Sequence, residues 1–179
     1  MEFLEELNCK DRPQASRVLA HSDEYITARG EVKLTRRNLL TGEIIGQPYE
    51  DHNLIVIIGR EAVLHILGGD RTNSAITKIA LGTGGAPVDN PFSPVPPVDG
   101  DVALVTEVFR DNLDSHSYPT RTSLRFVKLV TSDQINAIVN EALLLFNDNI
   151  TALARFTYPS QYLRNDFGSS LEIDWTIQL

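Results

Sequence analysis

The final nine residues, Leu171-Glu-Ile-Asp-Trp-Thr-Ile-Gln-Leu179, constrain the fold more than any other stretch of this chain. Leu171, Ile173, Trp175, Ile177 and Leu179 share one parity, and Glu172, Asp174, Thr176 and Gln178 share the other. A two-residue period this regular marks a strand with one face buried and one in water. Chain ends usually fray. A strand carried to the last residue therefore predicts a β-domain that completes its sheet with its own terminus, which favours a scaffold over a chemical site.

The rest of the chain continues the β theme. Glu31 to Asn38 alternates with Val32 and Leu34 inward, Leu40-Thr-Gly42 supplies a turn, and Glu43 to Tyr49 begins a return strand that Pro48 confines to an edge or ends. After the apolar run Asn53 to Ile58, Ala62, Val63, Ile66 and Leu67 have the spacing of a short amphipathic helix, stopped by Gly68-Gly69. Ile76 to Leu81, Val102 to Arg110, Thr122 to Val130, Asn140 to Phe146 and Thr151 to Tyr158 read as strands, and 159 to 170 as a polar loop. The expected fold is mainly β, an antiparallel β-sandwich with one short α-helix. Two segments stand apart: an N-terminal arm, residues 1–25, and a long loop, residues 86–100, with five prolines. The single domain then covers residues 26–179. Neither segment has the periodicity to bury itself, so neither is expected to add much to the isolated fold. Both carry apolar side chains worth burying against a neighbour: Phe3, Leu4 and Leu7 in the arm, Val88, Phe92 and Val95 in the loop.

Composition excludes several functions. Twenty-four acidic against 16 basic residues give a net charge of −8, and the only tight basic cluster, Lys33 to Arg37, sits near a turn, so nucleic-acid binding is disfavoured. The longest apolar run, Ala142 to Phe146, is far too short to cross a bilayer, and no membrane partner is expected. The acidic opening Met-Glu-Phe-Leu-Glu-Glu-Leu lacks the basic start of an export signal. Cys9 is the only cysteine, which excludes an intrachain disulfide and any multi-cysteine metal site.

Chemical motifs are equally sparse. Gly82-Thr-Gly-Gly85 opens into Ala-Pro-Val-Asp-Asn-Pro rather than into a helix, so it reads as a tight bend and not a phosphate loop. His21, His52, His65 and His116 lie at no metal-binding spacing. Glu172 and Asp174 share a strand face, the one arrangement here that resembles a glycosidase carboxylate pair, but Thr176 and Gln178 on that face mark it as an ordinary wet surface. No serine sits in a Gly-x-Ser-x-Gly elbow. No catalytic residue, cofactor or metal is expected. A different reading is a carbohydrate- or receptor-binding β-module, with Tyr158, Tyr162 and Phe167 around the 159–170 loop and Tyr162 as its candidate sugar contact.

The order of the segments carries a resemblance. A polar hairpin is followed by Asn53-Leu-Ile-Val…Gly59-Arg-Glu-Ala, Ile76-Thr-Lys-Ile-Ala-Leu-Gly-Thr-Gly-Gly85, a proline-rich loop and Leu104-Val-Thr-Glu-Val-Phe-Arg110. Asn140-Glu-Ala-Leu-Leu-Leu-Phe146, Ala154-Arg-Phe-Thr-Tyr-Pro159 and Leu171 to Ile177 close the series. Over roughly residues 30 to 179 this resembles small tailed-bacteriophage structural proteins, and its middle is similar to the N-terminal domain of phage tail-collar fibre proteins. No shaft or receptor-binding tip is expected after this domain, so the resemblance does not imply a role in host recognition. The resemblance implies a virion component made in the host bacterial cytoplasm, placed in the tail, neck/collar or baseplate. Its implied partners are itself, as a homo-oligomeric ring, and other phage tail or neck proteins.

Overall fold

The structure, a computed structural model, describes residues 28–163 and 168–179. The N-terminal arm with Phe3, Leu4 and Leu7, and Phe167, lie outside the described residues. Nine strands and one helix follow in the order β1 (Arg29–Asn38), β2 (Tyr49–Ile55), α1 (Ile57–Gly68), β3 (Ile76–Gly82), β4 (Glu107–Asn112), β5 (Ser115–Thr120), β6 (Ser123–Thr131), β7 (Ala137–Phe146), β8 (Ala152–Leu163) and β9 (Ser169–Gln178).

All pairings are antiparallel, in one sheet ordered β4-β3-β7-β8-β2-β1-β9-β6-β5. The sheet curls into two facing layers, as expected for a mainly β sandwich. Two corners make the curl. At the first, β2 changes partner: Tyr49 to Asn53 pair with β1, and Leu54 and Ile55 pair with β8. At the second, β4 and β5, the outermost strands of the order, are joined by Leu113 and Asp114 alone, so the two ends of the sheet meet. Strands that bend across corners let two layers share one hydrogen-bonded surface.

Between the layers lies the core. Val32 and Leu34 of β1 and Leu171, Ile173 and Trp175 of β9 meet Leu144, Phe146, Phe156 and Tyr158 of β7 and β8. The two-residue period of β9 is borne out: its apolar parity from Leu171 to Trp175 is buried, and Glu172 and Asp174 face outward to Arg37 and Arg125. Trp175 packs edge-on to Phe156 at 6.2 Å and donates its indole N–H to Asn53 Oδ1 at 3.0 Å. That bond lets the core hold the ring without leaving its one polar atom unpaired.

Several sequence expectations change. Pro48 does not create an edge strand; β2 begins only after it, and β2 is central because both its neighbours are strands. The run Asn53 to Ile58 divides between β2 and the start of α1. The basic cluster lies on the last part of β1, and Arg36 and Arg37 are close to the turn at Leu39 to Thr41, as expected; Lys33 is paired to Glu50 and Arg37 to Glu172. The 159–170 loop is partly strand, since β8 runs to Leu163 and β9 starts at Ser169. β5 has no apolar alternation and every residue is exposed, which is why its pattern carried no strand signal. Gly69 closes α1 in the left-handed conformation, φ 78°, as the glycine pair predicts.

An unusual charge marks the second corner. Lys128 has the inward parity of β6 and is buried, with its Nζ 2.7 Å from Asp111 and 2.9 Å from Asp114. Burial opposes its charge most strongly, but the two carboxylates outweigh burial and hold its pKa above the usual 10.5. The hydrogen bond from Lys128, with one from the Asn112 amide, holds Asp111 below the usual 3.8.

A depressed carboxylate stabilises the fold above its unfolded pKa and loses that contribution as pH falls through its folded pKa. A raised lysine stabilises below its unfolded pKa and loses it as pH rises through its folded pKa. The corner is therefore intact between about pH 4 and about pH 10. Thermal melts of the wild type should fall on both sides of that window, and Lys128→Met should flatten the acid limb. In the core, Trp175→Ala should cost about 3–5 kcal/mol, read by urea denaturation; a soluble variant with an unchanged midpoint would place this strand outside the core.

Candidate functional site

On β7, Ala142, Leu144 and Phe146 point into the core, and Glu141, Leu143 and Leu145 point to the opposite face. That second face is not open to water. The long connection from β3 to β4, residues 83–106, lies over it, and Val56, Ala80, Leu104, Leu143, Leu145 and Ala152 form a smaller apolar layer there, with Ile58 at the start of α1 packed against it. β7 and β8 are thus covered on both sides, which explains the unbroken apolar run Ala142 to Phe146.

Glu141 and Arg155 are the charged exceptions on this covered face. Glu141 is 0% exposed. Its Oε1 accepts from the backbone amides of Gly84 at 2.9 Å, Val105 at 3.0 Å and Thr106 at 3.2 Å. Its Oε2 accepts from the Arg155 guanidinium at 2.6 Å, and Arg155 reaches Asp101 with its other terminal nitrogen at 2.6 Å. One carboxylate thereby holds both ends of the loop, and its cationic partner holds a third point. Asn140 Oδ1 adds the Gly85 amide at 2.7 Å, Thr157 Oγ1 donates to the Val95 carbonyl at 2.8 Å, and the Ser160 amide donates to the Pro91 carbonyl at 2.9 Å. Asp99 takes the Ile57 amide at 2.9 Å and the Arg60 guanidinium at 3.0 Å, tying the loop to the start of α1.

The loop is therefore built into the fold, contrary to the expectation that it adds little. The missing periodicity was a poor guide because the loop is held by polar side chains beneath it rather than by apolar side chains of its own. The glycine bend is structural, as expected, but the reason is space. None of Gly82, Gly84 and Gly85 has a positive φ. A Cβ on Gly85 would stand 2.2 Å from the Asn140 carbonyl oxygen, and one on Gly84 2.1 Å from the Val105 side chain.

What the loop turns outward is apolar. Val88 is 99% exposed and Phe92 66%, with Val95, Val98 and Val102 also in water. Helix α1 also departs from its expected stripe. Only Gly59 and Ala62 are buried, and Ile57, Leu64 and Leu67 are exposed. Gly59 is the cause: its α-carbon lies so close to the Leu153 backbone that a Cβ would stand 2.2 Å from that carbonyl oxygen. Such a close approach brings Ala62 inward, with Ile66 half-buried against the main core, and leaves Val63, Leu64 and Leu67 in solvent.

The remaining candidates separate. Tyr158, read as part of a sugar platform, is fully buried in the core, where burial pushes its hydroxyl pKa upward, so it serves no surface ligand. Tyr162 is half-buried and lines a cleft with Phe92. Glu172 and Asp174 are held by arginines on the outer sheet face rather than facing each other across a cleft. A wider, open depression of about 460 Å³ on that face is lined by the ion pairs Lys33–Glu50 and Arg125–Asp174 together with Glu31, Asp51 and His52. Among the described residues no group of histidines, cysteines and carboxylates is placed to hold a metal, and no helix is long and apolar enough to cross a membrane. Glu141 and Arg155 were missed by the sequence reading. The available signal was a charge of each sign within adjacent, otherwise apolar strands, where an unpaired charge is not tolerated.

Comparison of the chain with protein-family models, curated proteins and solved structures found no match.

Removing one member of a buried, hydrogen-bonded ion pair costs about 3–5 kcal/mol. Glu141→Ala should show a loss of that order in urea denaturation and should open residues 86–100 to proteolysis before the sheet unfolds. Uniform loss of the whole fold with no early loop cleavage would mean that Glu141 does not hold the loop.

Proposed function

We propose that this protein is a non-enzymatic structural component of a bacteriophage virion, in the tail, neck/collar or baseplate, that assembles into a ring or collar through subunit contacts. The observation that carries this reading is an apolar surface on a firmly held support. Val88, Phe92, Val95 and Val98 stand out from a loop anchored through Glu141 and Asn140. Exposed apolar groups gathered on one face mark interaction surfaces. A surface already rigid loses little entropy on association, so more of its burial is available as affinity. A ring needs a face of this kind to meet a different face of the next copy and close on itself. The virion setting rests on the resemblance of the segment order to small tailed-bacteriophage structural proteins and of its middle to the N-terminal domain of tail-collar fibre proteins.

The test is native mass spectrometry of the purified protein together with proteomics of purified particles from the phage that encodes it. The expected outcome is a discrete oligomer and incorporation into virions. A double variant, Val88→Asp and Phe92→Asp, should keep the melting temperature to within the small change typical of surface substitutions, about 0.5 kcal/mol each, and run as a monomer. A wild-type monomer that is absent from purified particles would end the proposal.

A further inference from the structure

β2 leaves β8 after two residue pairs, and the parting of these strands opens a wedge. Their register, Leu54 opposite Arg155 and Ile55 opposite Ala154, would set Tyr49 opposite Ser160 and Gln47 opposite Tyr162 if it continued. Instead β2 turns to β1, and the space left between the strands is a cleft of about 230 Å³. Phe92 of the 83–106 loop closes one side.

The lining is of a particular kind. It holds three aromatic rings, Tyr49, Phe92 and Tyr162, two carboxamides, Gln47 and Gln161, and one charged side chain, Arg36. No acidic residue lines it, in a chain of net charge −8. Arg36 makes no ion pair among the described residues, and its Nε is buried without a hydrogen-bond partner. A buried donor left unmade is costly, and a guanidinium is shaped to take a carboxylate through two parallel N–H bonds. The Tyr49 hydroxyl is already committed to Asp51 at 3.0 Å, and burial together with this bond pushes its pKa up to about 12, so its ring and not its hydroxyl is available.

We propose that this cleft binds a carboxylate-bearing sugar, the ring lying against Phe92 and Tyr162, its hydroxyls on Gln47 and Gln161, and its carboxylate on Arg36. The cleft is concave, largely apolar and supplied with a few convergent polar groups, as small-ligand sites are. A sugar fits it better than an extended peptide strand. The main-chain amide of Ser160, through which such a strand would pair with β8, is already taken by the Pro91 carbonyl. The inference shares Phe92 with the assembly surface but rests on Arg36, which that surface does not use, so either can fail while the other holds.

The test uses the full chain, ¹⁵N-labelled, titrated with oligogalacturonate, with sialyllactose, and with their neutral counterparts, carboxyl-reduced oligogalacturonate and lactose. At least one acidic sugar should shift the amides of Gln47, Phe92 and Gln161, and bind roughly 10-fold or more tighter than its neutral counterpart, as loss of a charge-assisted hydrogen-bond pair requires. Arg36→Gln should erase that preference. Phe92→Ala, at an exposed loop position that does not threaten the fold, should weaken the acidic and neutral sugars alike. The proposal is overturned if no sugar shifts these resonances, if acidic and neutral forms bind equally to the wild type, if Phe92→Ala leaves binding unchanged, or if a library of extended peptides binds the cleft and the sugars do not.

Discussion

The contacts around Glu141 organise the side of the molecule that faces outward. A buried carboxylate is tolerated only when its charge is met, and here three backbone amides and the Arg155 guanidinium meet it. The amides come from both ends of one loop, so the carboxylate is neutralised only when residues 83–106 lie across β7. The loop in turn shields Glu141 and the apolar layer of Leu104, Leu143 and Leu145 from water. Loop and strand each make the other's burial affordable. Gly82 and Gly85 follow from the same demand, because the loop must come within contact of β7 to deliver its amides, and Gly84 leaves room for Val105 at the loop's other end.

A second constraint is the curl of the sheet. A nine-stranded sheet that closes by corners must let strands part somewhere, and β2 does so within its own length. The parting that makes the sandwich also makes the cleft between Gln47–Tyr49 and Ser160–Tyr162. At the opposite corner the turn at Leu113 and Asp114 has no room to open, and Lys128 fastens it from inside through Asp111 and Asp114. One corner is sealed and the other gapes, so the outer surface differs from end to end.

How far the sequence was legible follows from these two constraints. Elements governed by water alone were readable: the alternation of Leu171 to Trp175, the doubly covered run Ala142 to Phe146, and the helix stop at Gly69 all reflect local burial or local φ. Features that depend on distant partners were not. β5 has no buried face to imprint a pattern, and the exposed apolar face of α1 results from the approach of Gly59 to Leu153, far along the chain. Val88, Phe92 and Val95, read from the sequence as contacts for a neighbour, stand exposed, but the firmness of their support was not legible, since it rests on polar side chains of β7 and β8. Of the charged residues, Glu141 and Arg155 stood out only as exceptions within apolar strands.

The central claim is that the apolar loop is a rigid part of the isolated subunit. Amide hydrogen exchange on the purified protein, held at a concentration where it is monomeric, tests it most directly. The amides of Gly84, Gly85, Val95, Val105 and Thr106, all hydrogen-bonded within the subunit, should exchange nearly as slowly as those of β7, through opening of the domain rather than of the loop. Exchange of these five at the rate of an unstructured peptide, with β7 still protected, would contradict the account.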